Sequence, residues 1–426
     1  MNEFNDAELG FDHLLYSSLM LFRISGLLAL ALAANTGNML GGDWPQFLGP
    51  TRNGVYAGTD LAQSWPASGP PIVWRKDVGE GFAAPVVASG KLILFHRAGG
   101  KEIVDCFNAV SGEKIWSYDY PTTYRDDFGF DEGPRSAPVI ANGAVYTFGA
   151  QGVLTAVDFA TGKKRWSVAT NTQFGVKKGW FGAAGSPLVE GGKVLVHVGG
   201  PNAGIVAFDA NTGAAAWKAT SDEASYSSPT AATIGGARHA FFFTRAGLVD
   251  LDPANGQVRF SFPWHSRSSA SVNAATPLVI GNQVFVSASY GTGAILIEVN
   301  GNTYSKIWSN DDSMSNHYST CVHRDGFLYG FHGRQEEGQA LRCVQLRTGK
   351  VMWDVDGYGA GTVTLAGDRL FILRENGELV MAPAKPDGFH ATAHARILKV
   401  VRAYPALADG NLYARDEHTL VCVRLK

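Results

Sequence analysis

Charge is scarce in this chain of 426 residues: Asp, Glu, Lys and Arg together make up 17%, against about 25% in ordinary globular proteins. It is also balanced, with 36 basic and 38 acidic side chains and a net charge of −2. No field of one sign therefore draws the protein to nucleic acid or to an acidic lipid surface. Long hydrophobic runs are missing, which excludes a membrane-spanning helix through a ~30 Å hydrocarbon core. Cysteine is limited to four residues, no two of them adjacent. There is no Gly-x-Ser-x-Gly elbow or other nucleophile–base signature. Disorder is excluded as well, since 45% of the residues are hydrophobic and 11% aromatic. The one excess is glycine, 51 residues where about 7% is usual, without the G-X-Y period of collagen. The composition describes a turn-dense, β-rich globular protein.

The start of the chain reads as an export signal over residues 1–34. Arg23 supplies a basic flank, residues 25–34 (SGLLALALAA) form a short apolar run, and Ala31-Leu32-Ala33 meets the small-x-small cleavage rule. The acidic residues ahead of Met20 do not suit a signal, so Met20 is an alternative start. Residues 35–71 are read as an N-terminal extension. No cysteine lies near the cleavage point to carry a lipid.

Beyond residue 71 the chain repeats. CFNAVSGEKIW (106–116), AVDFATGKKRW (156–166), AFDANTGAAAW (207–217) and CVQLRTGKVMW (343–353) share one pattern, with degenerate copies at 250–260 and 298–308. Each has a small inward residue, an Asx-turn former, a glycine for a positive φ, and a β-rich segment ending on a large aromatic. In phase with these run eight two-residue hairpin turns: Ser89-Gly90, Asn142-Gly143, Gly191-Gly192, Gly235-Gly236, Gly281-Asn282, Asp325-Gly326, Gly367-Asp368 and Asp409-Gly410. Their mean spacing is about 46 residues, that of a four-stranded propeller blade. The eighth unit runs out after three strands, while residues 72–75 (IVWR) form a spare aromatic-bearing strand at the other end. Pairing the two would remove an open sheet edge. The expected architecture is all-β: a single eight-bladed β-propeller over 72–426, of four-stranded antiparallel blades, closed by the N-terminal strand. The repeat-ending Trp74, Trp116, Trp166, Trp217, Trp308 and Trp353 are expected to dock between blades.

Cys106, Cys343 and Cys422 fall in the repeat column that Ala156 and Ala207 fill elsewhere, and Cys321 takes a strand-opening place held mostly by proline. Equivalent positions of different blades lie too far apart to bridge. Four buried free thiols are expected.

Propeller geometry places the tight turns on one face and the variable inter-blade connections on the other, where a site is expected. The richest connections are 120–137 (YPTTYRDDFGFDEGPRSA) and 171–186 (NTQFGVKKGWFGAAGS). With the segments at 226–228, 273–276 and 316–320, they would ring an axial funnel with Asp126, Asp127, Arg135, Trp180, Tyr226, Asn273, His317 and Tyr318. Such a ring suits a small polar ligand or an extracytoplasmic protein; equally, these groups could cap strand ends and hold axial water. His390 and His394 are read as solvated loop, and Asp126-Asp127 with Asp311-Asp312 lack the ordered spacing of a calcium loop. The glycine-rich 199–204 leads into a strand, which does not suit phosphate. No catalytic or metal-ligating residue is assigned, and a monomer is expected.

The repeats resemble the tryptophan-docking motif A-x-D/N-x-x-T-G-x-x-x-W of the pyrroloquinoline-quinone (PQQ) dehydrogenase superfamily, over residues 72–426. Residues 43–54 (DWPQFLGPTRNG), 126–138 and 226–229 look like exported bacterial PQQ-like propellers. The resemblance implies one of two roles. One is that of the quinoprotein alcohol dehydrogenases, which hold PQQ and calcium in the axial funnel. The other is that of the propeller lipoprotein of the outer-membrane β-barrel assembly machine, a protein-binding scaffold without cofactor. The dehydrogenases carry an adjacent Cys-Cys pair over the quinone, which is absent here, and their acidic base and calcium ligands have no matching positions. No cofactor is therefore expected; PQQ with calcium is the alternative, with Asp126 or Asp127 near a metal-bound quinone. The lipidated cysteine of the scaffold lipoprotein is also missing. The leading expectation is an exported binding or scaffold module that uses the funnel face.

Overall fold

The computed structural model describes residues 42–266, 268 and 272–426. The expected export segment and Met20 lie outside the described residues. Eight antiparallel sheets follow one another along the chain. Seven are built from consecutive strands, and we number them blades 1 to 7: 86–121, 139–169, 188–219, 230–263, 278–310, 322–355 and 361–396. Blade 8 takes Ala406–Ala408, Asn411–Arg415 and Thr419–Arg424 from the C-terminus and its fourth strand, Ile72–Asp77, from the N-terminal side. These two ends run antiparallel with Trp74 opposite Cys422, so the ring closes through the pairing that the spare strand called for.

Local chemistry explains the blades. Both residues of the first hairpin turn have positive φ at six of the eight turns, and only the first does at Gly281-Asn282 and Gly367-Asp368. These are the twist-matching I′ and II′ geometries. Proline stands immediately before the first strand of blades 1 to 5 and 8, where its missing N–H costs no ladder bond.

The fourth strand is bulged one residue before its aromatic in blades 1 to 6 and 8. Blade 7, whose fourth strand Ala393–Arg396 carries no large aromatic, keeps regular register. The bulge swings each indole onto the next blade. Trp116 Nε1 donates to the Phe159 carbonyl (3.1 Å), Trp166 to Ala210 (2.9 Å), Trp217 to Pro253 (3.2 Å) and Trp308 to Leu346 (2.8 Å). Trp353 reaches Lys385 (2.8 Å), and Trp74 reaches Ala109 (3.1 Å) across the closure.

At the seam between blades 7 and 8, where no such tryptophan exists, Leu61 and Trp65 pack into the shared core. Trp65 lies 6.2 Å from the Phe371 ring.

Residues 42–56 fill the axis. Trp44 bridges Val87 of blade 1, the Pro45 carbonyl accepts the Ile140 N–H of blade 2, and Arg52 donates to the Pro187 and Pro229 carbonyls of blades 3 and 4. Val55–Tyr56 then adds in parallel to the first strand of blade 7, and Tyr56 Oη accepts the Gly410 N–H of blade 8. Trp44, Leu48, Arg52 and Tyr56 are all buried. The resemblance of residues 43–54 to exported propellers does not give their place in the ring, and their axial role emerges only from the fold.

Candidate functional site: an aromatic funnel

The axial segment borders a funnel, which Phe47 lines. At its open face lies a cavity of about 430 Å³, within the usual size of small-molecule pockets. Phe47 of the axial segment lines it, edge-on to Tyr404 at 5.0 Å between centroids. Around it, hydroxyls bond successive blade mouths. Ser186 Oγ accepts the Ala137 N–H (2.9 Å), Ser228 Oγ the Ser186 N–H (2.9 Å) and Thr320 Oγ1 the Thr276 N–H (2.9 Å). Tyr404 Oη accepts the Thr320 N–H. These are the strand-capping roles that the sequence left open for the hydroxyl-rich mouths.

The walls come from two long connections. Asp126 organises the first: its carboxylate accepts the N–H groups of Phe128 (3.2 Å), Phe130 (2.8 Å) and Asp131 (3.1 Å), and Arg135 Nη2 lies 3.2 Å away. Burial alone would raise its pKa, but these donors together hold it below the usual carboxylate range. The loop thereby presents Phe128 and Phe130, stacked at 6.1 Å, with Phe181 of the second connection 5.3 Å from Phe128. Trp180 meets Phe128 edge-on at 6.4 Å, and Phe181 meets Tyr226 at 5.3 Å. Guanidinium groups interleave with these rings. Arg135 lies over Phe82 (5.4 Å) and Phe181 (5.3 Å), and Arg402 over Phe82 (5.6 Å) and Phe130 (5.5 Å). Such stacks hold rings and cations in fixed orientation.

On the opposite wall His317 Nε2 shares a hydrogen bond with Tyr290 Oη at 3.0 Å. Burial lowers the His317 pKa, so the ring is neutral near pH 7. Tyr318 Oη is enclosed and has no hydrogen-bond partner among the described residues, and burial drives its pKa upward.

Of the residues singled out from the sequence, Arg135, Trp180, Tyr226, His317 and Tyr318 line the cavity together. Asp126, Asp127 and Asn273 do not. Asp126 is consumed by its own loop, and Asp127 pairs with Lys178 at the surface. Asn273 ties two connections: Nδ2 donates to the Thr244 carbonyl (2.8 Å) and its own carbonyl accepts the Tyr226 N–H (3.0 Å). His394 also departs from expectation, standing on the fourth strand of blade 7 and bonding Glu378 at 3.0 Å.

Sequence reasoning missed Phe47: residues 43–54 stood out only for their resemblance to exported propellers, and nothing local encodes their axial course. It missed Tyr290, Arg334 and Glu336 because they sit on turns between the second and third strands of blades 5 and 6, which share the funnel face with the inter-blade connections. Arg402 and Tyr404 lie on such a connection, in residues 397–405, and Phe82 just ahead of blade 1. A lining richer in rings than in polar groups was legible in principle, from Phe128, Phe130 and Phe181.

Comparison with known proteins fits this architecture. The family model described as outer membrane protein assembly factor BamB matches residues 100–355. The BamB of Salmonella typhimurium is 23% identical over 295 residues, covering 66% of this chain and 71% of that protein. The quinohemoprotein alcohol dehydrogenase ADH-IIG of Pseudomonas putida is 31% identical over 152 residues, which is 34% of this chain and 20% of the dehydrogenase. The match thus spans about a fifth of that enzyme's length. Among solved structures, BamB from Moraxella catarrhalis superposes with a TM-score of 0.60 at 16% identity, over 84% of this chain and 98% of that one. The quinohemoprotein alcohol dehydrogenase of Comamonas testosteroni gives 0.65 at 15% identity, over 89% and 80%. These structural likenesses speak to the fold. With the repeats, the closed eight-bladed ring and a family match over more than half its length, the chain belongs to the PQQ-like β-propeller family of the outer membrane protein assembly factor BamB.

Proposed function

We propose that this chain is an exported β-propeller acting as a binding or scaffold module, which takes a ligand or a protein partner at its funnel face. The observation that carries this reading is the cavity of about 430 Å³, walled by aromatic rings and arginines held on a rigid ring. In this reading the protein works outside the cytoplasm as a monomer, and Trp74, Trp116, Trp166, Trp217, Trp308 and Trp353 serve as docking groups between blades. No helix among the described residues is long and apolar enough to cross a membrane. The similarity to BamB supports a protein-binding role.

The second reading, a PQQ-dependent oxidoreductase using the same funnel, draws on the stretch similar to the alcohol dehydrogenases. The residues at the cavity do not fit PQQ with calcium. Among the described residues Glu336 is the one carboxylate on the wall, with Arg334 Nε 3.4 Å away. Among the described residues no three His, Cys, Asp or Glu side chains gather as a metal site, whereas calcium takes six to eight oxygen ligands. The four cysteines are buried and separate.

Titration of the purified protein with PQQ and calcium, read by absorbance and dye reduction, separates the two readings. We expect no stoichiometric complex. Tight one-to-one binding with dye turnover would overturn the binding-module reading. A photo-crosslinker at Phe128 should capture a discrete extracytoplasmic product that the same probe at Gly191, on the tight-turn face, does not.

A further inference from the structure

We propose that the funnel cavity recognises a carboxylate carried on an aromatic or apolar group, with Arg402 as the anchoring residue. This inference rests on the funnel being a binding site and names the chemistry of what it binds. Arg402 lines the cavity with its guanidinium between the rings of Phe82 and Phe130. Its Nε donates to Glu375 Oε1 at 2.6 Å, which fixes the plane of the fork. Its two terminal nitrogens have no hydrogen-bond acceptor among the described residues.

The neighbouring Arg135 is different. It spends both terminal nitrogens on the Phe181 carbonyl, Asp126 and the Asp131 carbonyl. Arg402 is therefore an oriented fork with free donors, and Glu375 balances its charge. A carboxylate matches such a fork in two parallel charge-assisted bonds. The adjacent Phe82, Phe130 and Phe181 offer apolar surface for the group that bears it. The Tyr318 hydroxyl and His317 Nδ1 are enclosed and do not compete for the same acceptor. The chemistry has two sources, a free aromatic acid or the C-terminal residue of a polypeptide.

The probes are N-acetyl-phenylalanine, its neutral amide, and a hexapeptide ending in phenylalanine with a free carboxylate. Each is titrated calorimetrically into the full-length protein. We expect the acid to bind at least about tenfold more tightly than the amide, a comparison that needs no variant. Arg402→Gln should bring acid and amide to the same, weaker affinity and so erase that ratio, with a melting curve to confirm folding. Phe130→Ala should weaken acid and amide alike and preserve their ratio. Tighter binding of the hexapeptide than of the free acid assigns the source to a polypeptide terminus; equal or weaker binding assigns it to a small acid. Acid and amide binding equally, or Arg402→Gln keeping the preference, would overturn the carboxylate assignment and leave the cavity as a binding site. No binding of any probe would overturn this inference, whereas failure of the binding-module reading itself would show as PQQ turnover.

Discussion

Arg52 Nη1 donates to the carbonyl of Pro229 at 2.8 Å across 177 residues of chain, fixing the axial segment to the mouth of blade 4. The same guanidinium serves the Pro187 carbonyl and, through Nε, Gln46 Oε1 at 2.9 Å. It is buried with no carboxylate at ion-pair distance among the described residues; burial lowers its pKa to about 9, partly offset by the charge of Glu190, so it is still charged at neutral pH. Arg52→Met leaves two buried carbonyls and the half-buried Gln46 Oε1 without a donor. It should lower stability by about 2–4 kcal/mol, measured by urea unfolding. Arg52→Lys should recover only part, because an ammonium cannot reproduce the fork. A variant within about 0.5 kcal/mol of the parent would show that the plug is not fastened here.

Two glycines of similar backbone conformation separate strain from packing. Gly191, in a hairpin turn, has φ +52°, and a β-carbon added there would meet nothing within 4 Å. At Gly213 (φ +74°) the added β-carbon would lie 2.7 Å from the Trp166 ring. Gly191→Ala should cost only the left-handed backbone penalty, about 1 kcal/mol. Gly213→Ala must in addition displace the indole and break its bond to Ala210. It should cost about 2–4 kcal/mol by the overpacking range added to that penalty. Equal losses in thermal melts would mean that the indole contact carries no stability.

Most of the ring was legible because each blade restates the same local rules. Turn pairs such as Asn142-Gly143 mark the hairpins, the Thr-Gly and aromatic columns mark the fourth strand, and the spare strand at Trp74 matches the gap beside Cys422. The axial plug was not legible, since residues 42–56 pair with six blades through contacts that no local periodicity encodes. The funnel was half legible for a related reason. Arg135 and Trp180 sit on connections whose length flags them, but Asp126 looks like a ligand group in sequence and becomes a loop organiser once three N–H donors converge on it. Arg402 looks ordinary in sequence and gains its meaning only from Phe82 and Phe130, far away along the chain.

His197 gives a pH dependence with a definite sign. It is buried, its Nδ1 accepts the Ser225 N–H, and Phe242 meets it edge-on at 6.3 Å. Burial lowers its pKa from 6.5 to about 4. The unfolded chain therefore binds a proton between those values that the folded chain does not. The stabilising contribution is full above pH 6.5 and is lost as pH falls through 4. The loss should approach about 3 kcal/mol, at 1.36 kcal/mol per unit. His197→Gln should flatten this part of the stability profile, read from urea midpoints between pH 7 and 4. An unchanged slope would assign the acid sensitivity to other groups.

The four thiols offer a test of blade integrity that needs no variant. Cys106, Cys343 and Cys422 stand opposite Trp116, Trp353 and Trp74 on third strands, and Cys321 stands immediately before the first strand of blade 6; all four are free and buried. Burial pushes each pKa up to about 12, so the reactive thiolate is negligible at pH 8. A thiol reagent should leave the native protein unlabelled on the timescale on which it titrates all four in urea. Labelling should then track opening of the blades. Cys422 reports on the closure with Trp74, so replacing Trp74 with Ala should make Cys422 the first to react. Preferential labelling of Cys106 or Cys343 in that variant would place the weakest seam elsewhere in the ring.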